Sequence, residues 1–261
     1  MISEYTKRIY NSRYFWWHLA LSDLRAKYQR TVLGLLWSVI QPLAMALLFA
    51  FVLANIFKQP AQATILYIYS GLIIWDLVIF SSVSGSTAFL NAAPYMKQFA
   101  HPISIYPLRC VLVGLINFGM AFIGLLCLVV FLQPENISIS WITFPFTVLL
   151  LLLITWPLAI ICSITGTLFR DFSQFIIIFL QALWFVSPVF FSPDVFINGG
   201  IGFLVYYNPV YYILDLLRAP FVYGIWPGLM DYGVTILLII CLWGLAGTLL
   251  YHFERKIILY I

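Results

Sequence analysis

Charge is what this sequence has least of. Only 8% of its 261 residues are Asp, Glu, Lys or Arg, against roughly 25% in a soluble domain, too few to coat a surface that faces water. Acids are scarcest, nine against thirteen Lys and Arg. Cysteine is sparse too. Cys110, Cys127, Cys162 and Cys241 each sit inside an apolar run without a C-x-x-C partner, so they read as small buried hydrophobes, not as disulfides or metal ligands. His18, His101 and His252 lie far apart in sequence and give no metal-ligand spacing. There is no G-x-x-x-x-G-K-[ST] phosphate loop and no H-E-x-x-H; no Ser/His/Asp set or paired carboxylates stand out in a loop. The one literal G-x-x-x-G, Gly224 to Gly228, contains Pro227 and falls between apolar runs, so it is not a helix-pairing motif. No inverted repeat of the kind found in secondary transporters is evident. The first 31 residues are polar and basic and lack the short apolar core of a cleavable signal. What these absences exclude is a soluble catalytic domain with its own nucleotide chemistry.

What is present is long apolar sequence. Apolar residues make up 64% of the chain and mean hydropathy is +1.03. A bilayer core of about 30 Å needs about 20 such residues per helix. The runs predict an all-α, polytopic membrane protein with six spans near 32–56, 65–84, 106–131, 142–169, 175–191 and 232–251. Polar and Pro-rich breaks separate them, as helices that must satisfy their own backbone in lipid require. With six spans and the N-terminus inside, eleven Lys and Arg fall on the inner side, among them Arg25, Lys27, Arg30, Lys97, Arg109, Arg170, Arg255 and Lys256. Only Lys58 and Arg218 fall outside, a bias that puts both termini in the cytoplasm. The stretch 195–225 is apolar but cut by Asn208-Pro209 and Ala219-Pro220, and reads as two short outer re-entrant helices between spans five and six. Asn208 is placed to cap the second with Pro209 in its first turn, and Asp215 and Arg218 are spaced to pair on one face.

Four segments invite a functional reading. Residues 1–31 read as an amphipathic helix on the cytoplasmic face, with Tyr14, Trp17, Leu21, Leu24 and Tyr28 on one side and Asp23, Lys27 and Arg30 on another. The inner loop 88–102 reads as a short helix interrupted at Pro94 and closed by His101-Pro102. Its apolar side, Phe89, Tyr95, Met96 and Phe99, either docks a partner or packs back on the chain's own helices. Asp76 is the only ionisable residue deep in a span. It is either a pore-lining or gating acid, or a protonated or hydrogen-bonded packing residue beside a serine. Aromatics are 18% of the chain. Trp16, Trp17, Trp141 and Trp226 fit interfacial belts, whereas Trp37, Trp75, Trp156 and Trp184 fall within or near spans, where rings could stack on sugar faces or simply pack.

The run Asp23-Leu24-Arg25-Ala26-Lys27-Tyr28-Gln29-Arg30-Thr31-Val32-Leu33-Gly34-Leu35-Leu36-Trp37, followed by Gln41-Pro42-Leu43, resembles the entry to the first span in permeases of type-2 ABC exporters. The stretches Ser70-Gly71-Leu72-Ile73-Ile74-Trp75, Ser187-Pro188-Val189-Phe190-Phe191 and Asn208-Pro209-Val210-Tyr211-Tyr212 resemble later parts of the same family, and the likeness is greatest to its polysaccharide-export branch, above all O-antigen permeases. That resemblance implies a permease without an ATPase of its own, working as two copies with two separate ABC ATPase subunits that hold ATP and Mg. The chain itself would carry no cofactor, sit in a bacterial inner membrane and bind no nucleic acid. The substrate would resemble an undecaprenyl-diphosphate-linked polysaccharide. Residues 5–28 would be the interface helix, and 88–102, with Asn91, Tyr95, Lys97, Phe99 and His101, the coupling helix. Arg25, Lys27 and Arg30 would meet the lipid diphosphate, and Trp37, Trp75, Asp76, Tyr211 and Tyr212 would line the channel. Asp76 departs from the neutral residue expected there.

Capsule and teichoic-acid exporters share this layout. A drug or small-molecule permease of the same type is a second class. A membrane-embedded glycan-modifying enzyme is a third, and it would need polar catalytic groups clustered at one membrane face.

Overall fold

The computed structural model describes residues 2–29, 31–57, 60–98, 101–254 and 256–260. Twelve α-helices and several 3-10 turns account for the described secondary structure. Arg30, Lys58, Phe99 and Arg255, all assigned a side or a role from sequence, lie outside the described residues.

Five helices are long and apolar enough to cross a bilayer: α3 (Trp37–Phe57), α4 (Ala61–Ser86), α6 (Ile105–Leu132), α7 (Phe144–Leu168) and α12 (Leu229–Phe253). The remaining expected span, the fifth, is a shorter apolar helix, α8 (Phe172–Val186). The protein is thus an all-α polytopic membrane protein. The first span begins later than expected because Gly34 adopts a positive φ of 51° and turns the chain before α3. Val32, expected inside the span, is fully exposed before that turn.

Helix α4 forms the centre of the bundle and contacts α3, α6, α7, α8 and α11 (Pro209–Val222). From Leu66 to Trp75 every residue is buried, as expected of a helix apolar on all sides. Beyond that belt small residues let it approach α7. Ser163 Oγ donates to Gly85 O at 2.7 Å, and a side chain at Gly166 would collide with the carbonyl of Ser86. Close small-residue contacts of this kind stand in for the hydrophobic effect, which does not drive helices together in lipid.

The fifth expected span, 175–191, stops being helical at Val186. Residues 187–190 are buried without a helix, so their carbonyls need partners from elsewhere. Arg218 on α11 supplies them. Its Nη1 donates to Pro188 O at 2.7 Å, and Nη2 to Val189 O at 2.9 Å and Tyr67 O at 3.2 Å. The guanidinium also lies 3.6 Å from the centre of the Tyr67 ring, whose hydroxyl donates to Pro188 O and Phe191 O. Gly71 makes room, since a Cβ there would sit 2.5 Å from Arg218 Nη2. The expected Asp215–Arg218 pair does not form. Arg218 is turned inward to the backbone break, and among the described residues the ion pairs are Glu4–Arg8 and Asp23–Arg109.

The re-entrant region contains three helices instead of two: α9 (Pro193–Asn198), the single turn α10 (Phe203–Tyr206) and α11. Asn208 caps α11 as expected, its Oδ1 accepting from Val210 N at 3.0 Å with Pro209 in the first turn. The N-terminal region is two helices, α1 (Ile2–Asn11) and α2 (Arg13–Tyr28). Its buried side is not the anticipated stripe. Leu19 and Ala20 are buried, while Tyr14 and Trp17 at the start of the stripe are exposed and face away from the bundle; Tyr28 at its end turns inward to Asn117. Leu19 joins a second core with Phe89, Met96, Ile105, Ile164 and Ile257. The two chain ends therefore meet at one end of the bundle, called here the interface end.

Candidate functional site

At the interface end a cavity of about 480 Å³ opens between the end of α2, the start of α3, and the middle of α4 and α6. Its polar wall includes Lys27, Tyr28, Ser38, Asp76 and Asn117. Three of these are joined. Tyr28 Oη donates to Asn117 Oδ1 at 3.0 Å and lies 3.1 Å from Ser38 Oγ, which in turn lies 3.3 Å from Asn117 Oδ1. Pro42, also on the wall, has no N–H, so the carbonyl of Ser38 loses its helical partner and adds polarity.

Lys27 sits in the last turn of α2, where a cation is favoured by the helix dipole. Its ammonium lies 4.6 Å from the centre of the Phe80 ring and 5.1 Å from that of Tyr28, so aromatic faces hold it toward the cavity. Asp76 is exposed to the same space, and the two charges act on each other across it. Asp76 takes no hydrogen bond from the other described residues; the serine partner expected of a packing acid is absent among them.

The residues expected to line a channel divide. Trp37 and Asp76 are on the cavity wall. Trp75 is not; it is 1% exposed and belongs to the core around α4, because adjacent residues on a helix point about 100° apart. Tyr211 and Tyr212, ring centres 5.1 Å apart, lie on α11 and do not reach this cavity. The expected basic trio is also divided: Lys27 faces the cavity, whereas Arg25 is exposed on α2 and outside it.

The loop expected to couple to a partner is a continuous helix, α5 (Ala88–Gln98), which runs through Pro94. The proline is tolerated because it lies on the exposed side, where the carbonyl it frees meets solvent. Phe89, Ala92 and Met96 are buried in the second core, so this apolar side packs on the chain's own helices. Asn91, Tyr95 and Lys97 remain exposed. His101 stacks on Phe15 with ring centres 4.5 Å apart, and its Nδ1 is 3.1 Å from Ser12 Oγ. Tyr95 meets the edge of the same Phe15 ring. Helices α1, α2 and α5 thus form one joined platform.

Sequence reasoning missed the Tyr28–Ser38–Asn117 cluster, although a lone amide in the apolar run of α6 was a visible signal. It also counted Arg109 only as an inner-side charge. Arg109 is 5% exposed in the second turn of α6, with Nε 3.4 Å from Asp23 Oδ2. Burial raises the Asp23 carboxyl above the ordinary aspartate range, and the Arg109 charge pulls it partway back.

Comparison with known proteins adds an independent line. Residues 14–222 match the family model described as ABC-2 type transporter. The chain is 24% identical over 204 residues to an O-antigen export system permease protein RfbA of Klebsiella pneumoniae, covering 78% of each chain. It is 25% identical over 186 residues to a protein of the same description from Myxococcus xanthus, covering 71% of each.

Proposed function

Because the chain belongs to the ABC-2 type transporter family, and is similar over most of its length to permeases of O-antigen export, we propose that it is the membrane half of an ATP-driven exporter of lipid-linked polysaccharide. Two copies would make the pathway, six crossings each, with both termini on the cytoplasmic side of a bacterial inner membrane. Two separate ABC ATPase subunits would bind the platform of α1, α2 and α5 and supply ATP and Mg. The substrate would be an undecaprenyl-diphosphate-linked O-antigen chain.

The observation that carries this reading is the match along most of the chain to relatives named for O-antigen export. The cavity fits the same reading. Lys27 offers a cation to the diphosphate, and Trp37 offers an aromatic face to the first sugars. Closure of the ATPases would push on exposed Asn91, Tyr95 and Lys97 of α5. Because Tyr95 and His101 pack on Phe15, α2 would move with α5. The Tyr28–Ser38–Asn117 contacts would then pass that movement to α3 and α6 at the cavity mouth. Phe99 and Arg30 keep their proposed roles in coupling and diphosphate contact on the sequence argument alone.

The test is purification and deletion. The purified chain should hydrolyse no ATP alone and should co-purify with a separate nucleotide-binding subunit. Its deletion should leave polysaccharide inside the cell, and Lys27→Glu should do the same with the complex intact. Surface polysaccharide unchanged by the deletion would sink the reading.

A further inference from the structure

At the end of the bundle opposite α1 and α2 lies a second cavity, of about 530 Å³, within the roughly 300–1,000 Å³ of small-molecule sites. It is built by loops that the sequence analysis treated only as breaks. The turn at Gln133-Pro134-Glu135-Asn136 meets the C-terminal end of α11, and Asn136 Nδ2 donates both to Gln133 Oε1 at 2.9 Å and to Val222 O at 2.5 Å. Gly224, with φ at 66°, allows that approach, because a Cβ there would lie 3.2 Å from Asn136 backbone atoms. The wall is therefore fixed by its own hydrogen bonds and does not depend on a ligand for its shape.

The chemistry of the lining is particular. Gln133, Glu135 and Ser192 bring an amide, a carboxylate and a hydroxyl to one rim. Tyr67 and Tyr223 bring phenol rings; Tyr67 is turned inward and engaged by backbone carbonyls, while Tyr223 is 46% exposed. No Lys or Arg is among the described residues that line it. The Glu135 carboxylate in the wall repels anions. A purely apolar ligand would leave the rim groups without partners. What pairs with amide, carboxylate and hydroxyl groups while laying a C–H face on a phenol ring is an uncharged sugar ring.

We infer that this cavity is a binding subsite for an uncharged pyranose unit of the exported polymer, which holds the chain as it leaves the membrane. The inference rests on the proposed function and adds a place of contact remote from the Lys27 cavity. Gln133 and Glu135 take the ring hydroxyls, and Tyr223 takes the ring face. A hold at this end stops the polymer from sliding back while the ATPases reset. Because Glu135 stands in its wall, the subsite discriminates against acidic sugar units.

The test is a protection measurement on the full exporter in spheroplasts. In a background with Cys127→Ala and Cys241→Ala, Ala63→Cys, on the cavity wall but apart from the groups assigned to the sugar, is labelled with a membrane-impermeant maleimide, and Ile201→Cys, in an exposed turn outside the cavity, serves as control. Cells that make the polymer are compared with cells lacking a glycosyltransferase needed for it. Labelling at position 63 should slow several-fold when polymer is made and labelling at 201 should not. Adding Gln133→Ala, Glu135→Ala and Tyr223→Ala should restore the fast rate at 63. Equal rates at 63 with and without polymer, while export proceeds, would overturn the subsite and leave the exporter intact. Loss of export dependence on the chain would remove both. Protection at 63 that survives the Gln133, Glu135 and Tyr223 substitutions would overturn the assignment of those groups.

Discussion

Arg109 and Asp23 meet with 3.4 Å between Nε and Oδ2, tying a buried cation in the second turn of a span to a helix that lies outside the bundle. The two partners are not equally buried: the Arg109 side chain is 6% exposed and that of Asp23 41%. Removing the acid leaves an unpaired buried charge, while removing the cation leaves a carboxylate that water can reach. Asp23→Ala should therefore destabilise more than Arg109→Gln, by about 1–3 kcal/mol once the exposure of Asp23 is allowed for. Asp23→Ala combined with Arg109→Met should recover part of the loss. Thermal melts of the detergent-solubilised chain measure all three, and equal losses for the two single variants would contradict the asymmetry.

The same pair sets a pH dependence. Burial is the larger influence on Asp23 and raises its carboxyl above the ordinary value. A raised acid binds its proton more tightly in the folded state. Ionisation then lowers stability as pH climbs from the unfolded value, about 3.9, through the folded one, and the cost is absent below that window. Relative to Asp23→Asn, which cannot ionise but keeps an amide oxygen opposite Arg109 where Asp23→Ala leaves nothing polar, the natural chain should lose stability across this range and then level off. A melting-temperature difference that is flat with pH would show that burial and the Arg109 charge cancel.

Arg218 should be less replaceable than any surface cation. Two of its three carbonyl partners, Pro188 O and Val189 O, lie in a non-helical stretch, so Arg218→Met strips buried backbone of its donors, at a cost on the order of 3 kcal/mol or more. Gly71→Ala, which intrudes on the same guanidinium, should cost about 1–3 kcal/mol through overpacking. Because both act at one place, their effects should fall short of additive in a double variant, and full additivity would separate the two sites.

On α5 the buried and exposed sides should answer differently. Ala92 is fully buried, and Ala92→Glu should lower the melting temperature strongly by placing a charge in the second core. Lys97→Glu, on the exposed side, should leave the melt unchanged yet reduce polymer export per ATP hydrolysed by the assembled exporter. Unchanged coupling in Lys97→Glu would remove this residue from the contact with the ATPase.

How much of this was legible beforehand differs by element. The spans were readable because lipid demands long apolar runs, and the Asn208-Pro209 cap because capping is local. The end of α8 was half readable: Ser187-Pro188 is a local helix stop, but the distant Arg218 and Tyr67 that satisfy the unwound, buried backbone after it leave no local sign. Likewise Phe89 and Met96 carry a helical apolar pattern whether a partner or Ile164 covers them. The cavity was half legible. Lys27, Trp37 and Asp76 were identified singly, but Trp75, expected from the resemblance to line the same channel as Asp76, turns into the core instead, since neighbours on a helix point about 100° apart. The ion pair at Arg109 joins residues far apart in the chain, and nothing local announces it.

Helix α8 has 15 residues, a rise of about 22 Å, beside a hydrocarbon slab about 30 Å thick. Its outward side carries Phe175, Ile178, Phe179 and Phe185, so the shortfall is felt by whatever stands next to it. Either the acyl chains dimple toward this one flank, or a second protein surface fills the gap and spares them. A permease built this way is a gauge of its own membrane: lengthening the lipid tails raises the penalty on that flank alone, and with it the incentive for two flanks to meet.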